Sequence, residues 1–188
     1  NRGIEGDSHK GATDTPVSAP KLANFTILPG TDIANASGDK GEGILLRVAT
    51  AGELYNVLVQ GRKGSTADTE SGECLELDGS YAGLVDNVNS KTLTMSHSII
   101  DCNEPFKYSS DNAATADAVN VETWFMGQEG NSTAAVTITD GMPAATDTTL
   151  LGKGKDLSTD DSFFESTNFI GAFDGQNDWR QGWAYFPQ

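Results

Sequence analysis

Apolar and polar positions alternate in short, recurring runs along this chain. Three segments read as variations of one strand: Leu22-Ala-Asn-Phe-Thr-Ile-Leu-Pro-Gly30, Leu54-Tyr-Asn-Val-Leu-Val-Gln-Gly61 and Met95-Ser-His-Ser-Ile-Ile-Asp-Cys102. Each carries Asn or His near its start, then a short β-prone run, then a turn. A recurring strand predicts a solenoid, in which one coil stacks on the next. A second strand type alternates with the first, at Gly43-Ile-Leu-Leu-Arg47 and Glu73-Cys-Leu-Glu-Leu-Asp78. Aligning Asn24, Asn56 and His97 gives intervals of 32 and 41 residues, and aligning Ile44 with Cys74 gives 30. Such spacing predicts wide coils with variable loops.

Side-chain alternation places Phe25, Ile27, Val57 and Val59 on the inward face, with Thr26 and Leu58 between them. Asn24 and Asn56 then share one column, where an inward amide ladder can satisfy turn carbonyls at a coil corner. His97 falls in the same column, which favours a corner hydrogen bond over catalysis. The spacing also predicts a helix over 111–126, capped by Asp111 or Asn112 and ended by Gly127, with Ala114, Ala118, Val121, Trp124 and Phe125 near one face. It should cover an open side or end of the solenoid. A short strand is expected at 135–139. The tail gathers Phe163, Phe164, Phe169, Phe173, Trp179, Trp183, Tyr185 and Phe186. A solenoid needs its last coil covered, so this ending reads as an aromatic C-terminal cap. Sugar stacking on Trp179 and Trp183 is the alternative. The expected organisation is one all-β domain: coils over 1–110, then helix, irregular segment and cap over 111–188.

Composition narrows the function classes. The chain has 188 residues, with 27 Asp and Glu against 12 Lys and Arg, a formal net charge of -15. That field repels phosphate backbones and anionic lipid, so nucleic acid is not an expected partner. No apolar run is long enough for a membrane span. The start at Asn1 carries no leader pattern and reads as a processed or trimmed product. Cys74 and Cys102 sit at comparable places beside apolar strands. In an acidic, Lys-poor chain of exported type, such a pair points to a disulfide, with two buried free thiols as the alternative. Closing 28 residues would contribute on the order of 3 kcal/mol.

Taken together, Arg2-Gly-Ile-Glu5, Gly43-Ile-Leu-Leu-Arg47, Leu54-Tyr-Asn56, Trp124-Phe125 with Asn131-Ser-Thr133, Phe169-Ile-Gly-Ala-Phe173, Asp178-Trp179 and Gly182-Trp183 are distinctive. They resemble the C-terminal half of a family of exported bacterial right-handed parallel β-helix proteins, known as surface proteins or lipoproteins without an assigned activity. The resemblance spans most of the chain, and its ending is the most specific part. It implies the right-handed parallel β-helix fold, an extracellular or outer-cell-surface location, and no catalytic residues. It also implies further coils ahead of the Arg2-Gly-Ile-Glu5 strand, so that the first coil would stack on another chain or on an N-terminal part of the same precursor.

Candidate chemistry is sparse. A pectate-type lyase on such a fold would combine acidic calcium ligands with a basic residue, yet neither Arg47 nor Arg180 lies in an obvious run of Asp residues. Asp174-Gly-Gln-Asn-Asp178 offers oxygen ligands at a spacing compatible with a calcium loop, through Asp174 and Asp178, but lacks the full twelve-residue pattern. A turn stabilised by Asx hydrogen bonds is the alternative. No nucleotide loop, nucleophile elbow or zincin motif is present. The leading expectation is a non-enzymatic structural or adhesive protein at the cell surface. The second is a carbohydrate-active β-helix that binds or cleaves an acidic polysaccharide with calcium.

Overall fold

The computed structural model describes residues 2–10, 15–28, 43–61 and 73–184. Each of the three repeated segments is two strands bent at its Asn or His. The first passage comprises β1 (Ile4–Gly6), β2 (Lys21–Ala23) and β3 (Thr26–Ile27); the second comprises β4 (Ile44–Arg47), β5 (Gly52–Tyr55) and β6 (Leu58–Gln60). The third begins with β7 (Leu75–Asp78), inserts helix α1 (Leu84–Asn89), and continues with β8 (Leu93–Ser96) and β9 (Ile99–Asp101); β10 (Phe106–Ser109) opens a fourth. Three parallel sheets result, ordered β1-β4-β7-β10, β2-β5-β8 and β3-β6-β9, here called sheets A, B and C. Successive passages visit A, B and C in turn, so the protein is mostly β with stacked parallel sheets. The sheet A register pairs Ile44 with Leu75, an interval of 31 residues, and corrects the alignment on Cys74 by one.

The corners are made by backbone conformation. Asn24, Asn56 and His97 adopt φ of 59°, 55° and 49°. This left-handed region is costly for most side chains and open to Asn, His and Gly. Gly130, at φ 71°, continues the series on the next passage, and a Cβ there would lie 2.7 Å from the His97 ring. The turn from β4 to β5 spans only residues 48–51, whereas that from β7 to β8 spans 79–92 and holds α1. The insertion accounts for the longer 41-residue interval. Leu84 and Val88 of α1 are buried in the main core, and the Asn87 amide donates to the carbonyls of Ala49 and Thr50 at 2.9 and 3.0 Å.

Inward residues Ile44, Leu46, Leu54, Val57, Val59, Leu75, Leu77, Leu93, Met95 and Ile100 form that core. Val57, Val59 and Ile27 face inward as expected, but Phe25 does not, remaining 38 % exposed. Cys74 and Cys102 are joined in a disulfide across adjacent passages, with Cα atoms 6.4 Å apart.

The expected helix over 111–126 is two separate pieces. A 3-10 turn occupies Ala113–Thr115, and α2 occupies only Val121–Met126. Two asparagines explain the break: Asn112 accepts from the Ala114 N–H and Asn120 from the Thr123 N–H, so each starts its own helical turn. Ala114 and Ala118 are exposed. Among the described residues two α-helices are thus present where one was expected. The short strand narrows to β11 (Ile138–Thr139), paired antiparallel with β12 (Met142–Pro143).

Candidate docking end and surface grooves

The two ends of the solenoid-like body differ. At the C-terminal end, α2 lies over the last passage: Phe125 is fully buried, its ring 5.3 Å from that of Phe106. The turn after α2 then takes the place of a fourth sheet B strand. The Met95 N–H donates to Gln128 Oε1 and the His97 N–H to the Glu129 carbonyl. Asn131 donates to the carbonyls of Met95 and Phe125, and its Oδ1 accepts from the Ser98 N–H. Ser132 ends the closure by bridging to Ile99.

At the other end, β1, β2 and β3 each pair on one side only among the described residues. Their inward side chains Ile4, Leu22 and Ile27 are half-buried, whereas their counterparts one passage on, Ile44, Leu54 and Val59, are buried. Val17, Phe25 and Leu28 of this first passage are exposed large apolar residues.

Of the aromatic tail, Phe173, Trp179 and Trp183 lie beside this open end and not over the last coil as expected, while Phe163 is 84 % exposed and caps neither. Leu150 and residues 169–172 lie along the outer side of sheet C. Leu150 and Ile170 pack with Val136 over Leu58 and Ile99, forming a second apolar cluster. The Asn column fastens this segment. Asn56 donates to the Lys155 carbonyl at 2.9 Å and accepts from the Lys155 N–H at 2.8 Å. Asn24 donates to the carbonyls of Phe169 and Gly171, both at 3.0 Å. The two amides also meet each other at 3.3 Å, so a ladder exists, but it faces the covering segment and not the interior as expected. Its carbonyl partners come from about 100 to 147 residues away in sequence rather than from the turns themselves.

Beyond Gly171 the segment reaches the first passage, where the Ala172 N–H donates to Thr26 Oγ1. Phe173 and Trp179 then stack at 5.3 Å and 12°, and Trp179 and Trp183 at 5.4 Å and 24°. Trp179 thus stacks with both Phe173 and Trp183 and stays 52 % exposed. Trp183 is 69 % exposed. Tyr185 and Phe186 lie outside the described residues. Phe25, Thr26 and Leu28 face Phe173, Trp179 and Arg180 across a groove of about 430 Å³.

Asp174 and Asp178 have separate partners. Asp174 Oδ1 accepts from the N–H groups of Gln176 and Asn177, and its Oδ2 from the Asn177 amide. This is an Asx turn, and the backbone donors, Asn177 first, hold its pKa below the usual carboxylate range. Asp178 is paired with Arg180 at 2.7 Å, which lowers its pKa in the same sense. Among the described residues no cluster of three or more acidic, His or Cys groups is arranged to hold a metal. Arg47 does gather carboxylates: its guanidinium meets Asp7 at 2.8 Å and Glu5 at 2.5 Å, and these raise its pKa, Asp7 foremost.

A second groove, about 440 Å³, crosses the outer side of sheet B between Tyr55, His97, Trp124 and Lys155. Three of its polar groups have partners: Tyr55 donates to Glu53, Lys155 pairs with Asp160 at 2.8 Å, and His97 Nε2 lies 4.0 Å from Glu129. Burial first, then Glu53, pushes the Tyr55 phenol well above its usual pKa, which suits a hydrogen-bond donor rather than a proton acceptor. Sequence reasoning missed Gly130 and Asn131 at the closed end; the positive-φ series Asn, Asn, His was the signal that a Gly would continue it.

The chain matches no protein-family model, no curated protein and no solved structure.

Proposed function

We propose that this protein is a non-enzymatic structural or adhesive component of a cell exterior, built as a right-handed parallel β-helix whose first coil docks a further coil. The observation that carries this reading is the difference between its ends. One end is covered by α2 and, over sheets B and C, by the Gln128–Ser132 turn, with β10 its one single-sided strand among the described residues, while three parallel strand edges and the half-buried Ile4, Leu22 and Ile27 meet at the other. Unpaired edges with exposed apolar neighbours are templates for strand addition. The occupant that fits is one more turn of parallel β-structure, from an N-terminal part of the same precursor or from another chain. The resemblance to exported bacterial β-helix proteins and the Cys74–Cys102 disulfide support an oxidising, extracellular setting.

Closure of one end also limits assembly. Head-to-tail filaments would need the last passage free, so isolated chains, lacking that parallel coil, should associate head to head, with their edge strands antiparallel, and stop at pairs. Sedimentation over a concentration series is the test. Pairing is expected, and Leu22→Lys should abolish it. The Lys can snorkel to water at the open end, but stacking would bury its charge. A chain that stays monomeric at every concentration overturns the reading.

A second reading, a carbohydrate-binding β-helix, draws on the exposed Trp179 and Trp183 indoles. Titration of tryptophan emission with neutral and acidic oligosaccharides, with and without calcium, addresses it. Absorbance of unsaturated uronates would detect cleavage. Unchanged signals in both remove this alternative.

A further inference from the structure

We infer that the groove between Phe25–Leu28 and the Phe173–Trp179 stack selects the docking coil, by receiving an apolar side chain at the outward position of its sheet C strand. This rests on the stacking reading above and names what the docked coil must carry.

The argument is one of continuity along a column. Register places Thr26, Leu58 and Ile99 at equivalent outward positions of β3, β6 and β9. Ile99 and Leu58 are 1 % exposed, sealed by Val136, Leu150 and Ile170 from the covering segment. At Thr26 the cover is the backbone around Gly171 and Ala172, so close that a Cβ at Gly171 would lie 2.7 Å from Thr26 Oγ1. A small hydroxyl residue suits that position, and Leu would not fit.

Parallel strands repeat at about 4.8 Å, so an added sheet C strand would sit one step beyond β3. Its outward residue would arrive where the covering segment has turned from backbone to the rings of Phe173 and Trp179. The groove there is more apolar than polar in its lining, and Trp179 is 52 % exposed. Phe173 is itself buried, and Arg180, 4.6 Å over its ring and bonded to Asp178 and the Asp140 carbonyl, steadies that wall. The covering segment thus extends past the last strand it covers. A large apolar side chain at that position completes the second cluster upward; a charged one would be desolvated against aromatic faces.

The test supplies the coil. A copy of residues 42–72, which contains no Trp or Cys, is placed ahead of Arg2. This preserves the 31-residue spacing between Ile44 and Leu75 and sets the copy's Leu58 above Thr26. With Trp124→Phe and Trp183→Phe, emission reports Trp179 alone. Acrylamide quenching of Trp179 should fall severalfold in the extended chain and return when the copy alone carries Leu58→Asp. Hydrogen exchange of β1–β3 amides is read in parallel. If those amides become protected while Trp179 stays fully quenchable, the selection inference fails and stacking stands. If they gain no protection, stacking fails and this inference falls with it.

Discussion

At the scale of single residues, Asn56 couples the coil corner to the covering segment. Its φ of 55° requires a residue at ease in the left-handed region, and its amide serves both polar groups of Lys155. Asn56→Gly keeps the first property and loses the second; Asn56→Ala loses both. Left-handed backbone costs about 1–2 kcal/mol for a residue with a Cβ. Leaving buried amide groups unpaired costs about 1–3 kcal/mol more. In urea unfolding the Ala variant should therefore be the less stable of the two by about 1 kcal/mol, and both less stable than the parent. Equal stability of the two variants would show that corner conformation contributes little. This column was legible because Asn, Asn and His recur before similar runs. Its fourth member, Gly130, was hidden because a helix, not a strand, precedes it.

At the scale of elements, the covering segment is a separate layer, packed on sheet C through Leu150 and Ile170 and tied within itself by carboxylate contacts. Asp156 is bonded by Ser166 and Ser158, Asp160 by Lys155, Asp174 by the Asn177 and Gln176 amides, and Asp178 by Arg180. All four pKa values are depressed, so the unfolded segment takes up protons before the folded one does. Their stabilising effect is present above the ordinary carboxylate pKa, about 4, and is lost as pH falls through the lower folded values. Residues 150–184 should exchange amide hydrogens faster at pH 3 than the pH dependence of intrinsic exchange requires, while β4–β9 stay protected. Uniform behaviour across the chain would indicate one cooperative unit. The disulfide acts on the coils instead. It closes 28 residues, and Cys74→Ser with Cys102→Ser should cost about 3 kcal/mol, read as a lower urea midpoint. Strand positions were readable from two-residue alternation. The helix over 111–126 was misjudged because apolar spacing outweighed two internal Asn caps.

At the scale of the whole molecule, the proposed association through one end rests on where the two C-terminal elements go. The Leu22→Lys sedimentation test and the extended chain address that level, because both ask what the first passage lacks. The local pattern alone determined the recurring strands and the corner residues. Those features arise from backbone preferences and side-chain alternation over a few residues. Only the tertiary structure decided that α2 closes the last passage and that the aromatic tail returns to the first. Asn24 meets Gly171 across 147 residues of sequence, and Phe173 and Trp179 find Phe25 and Leu28 at similar separations. An aromatic run states only that apolar surface must be covered. Which surface it meets depends on where the segment is fastened, and here that is the outer side of sheet C, by an amide ladder whose carbonyl partners no local pattern identifies.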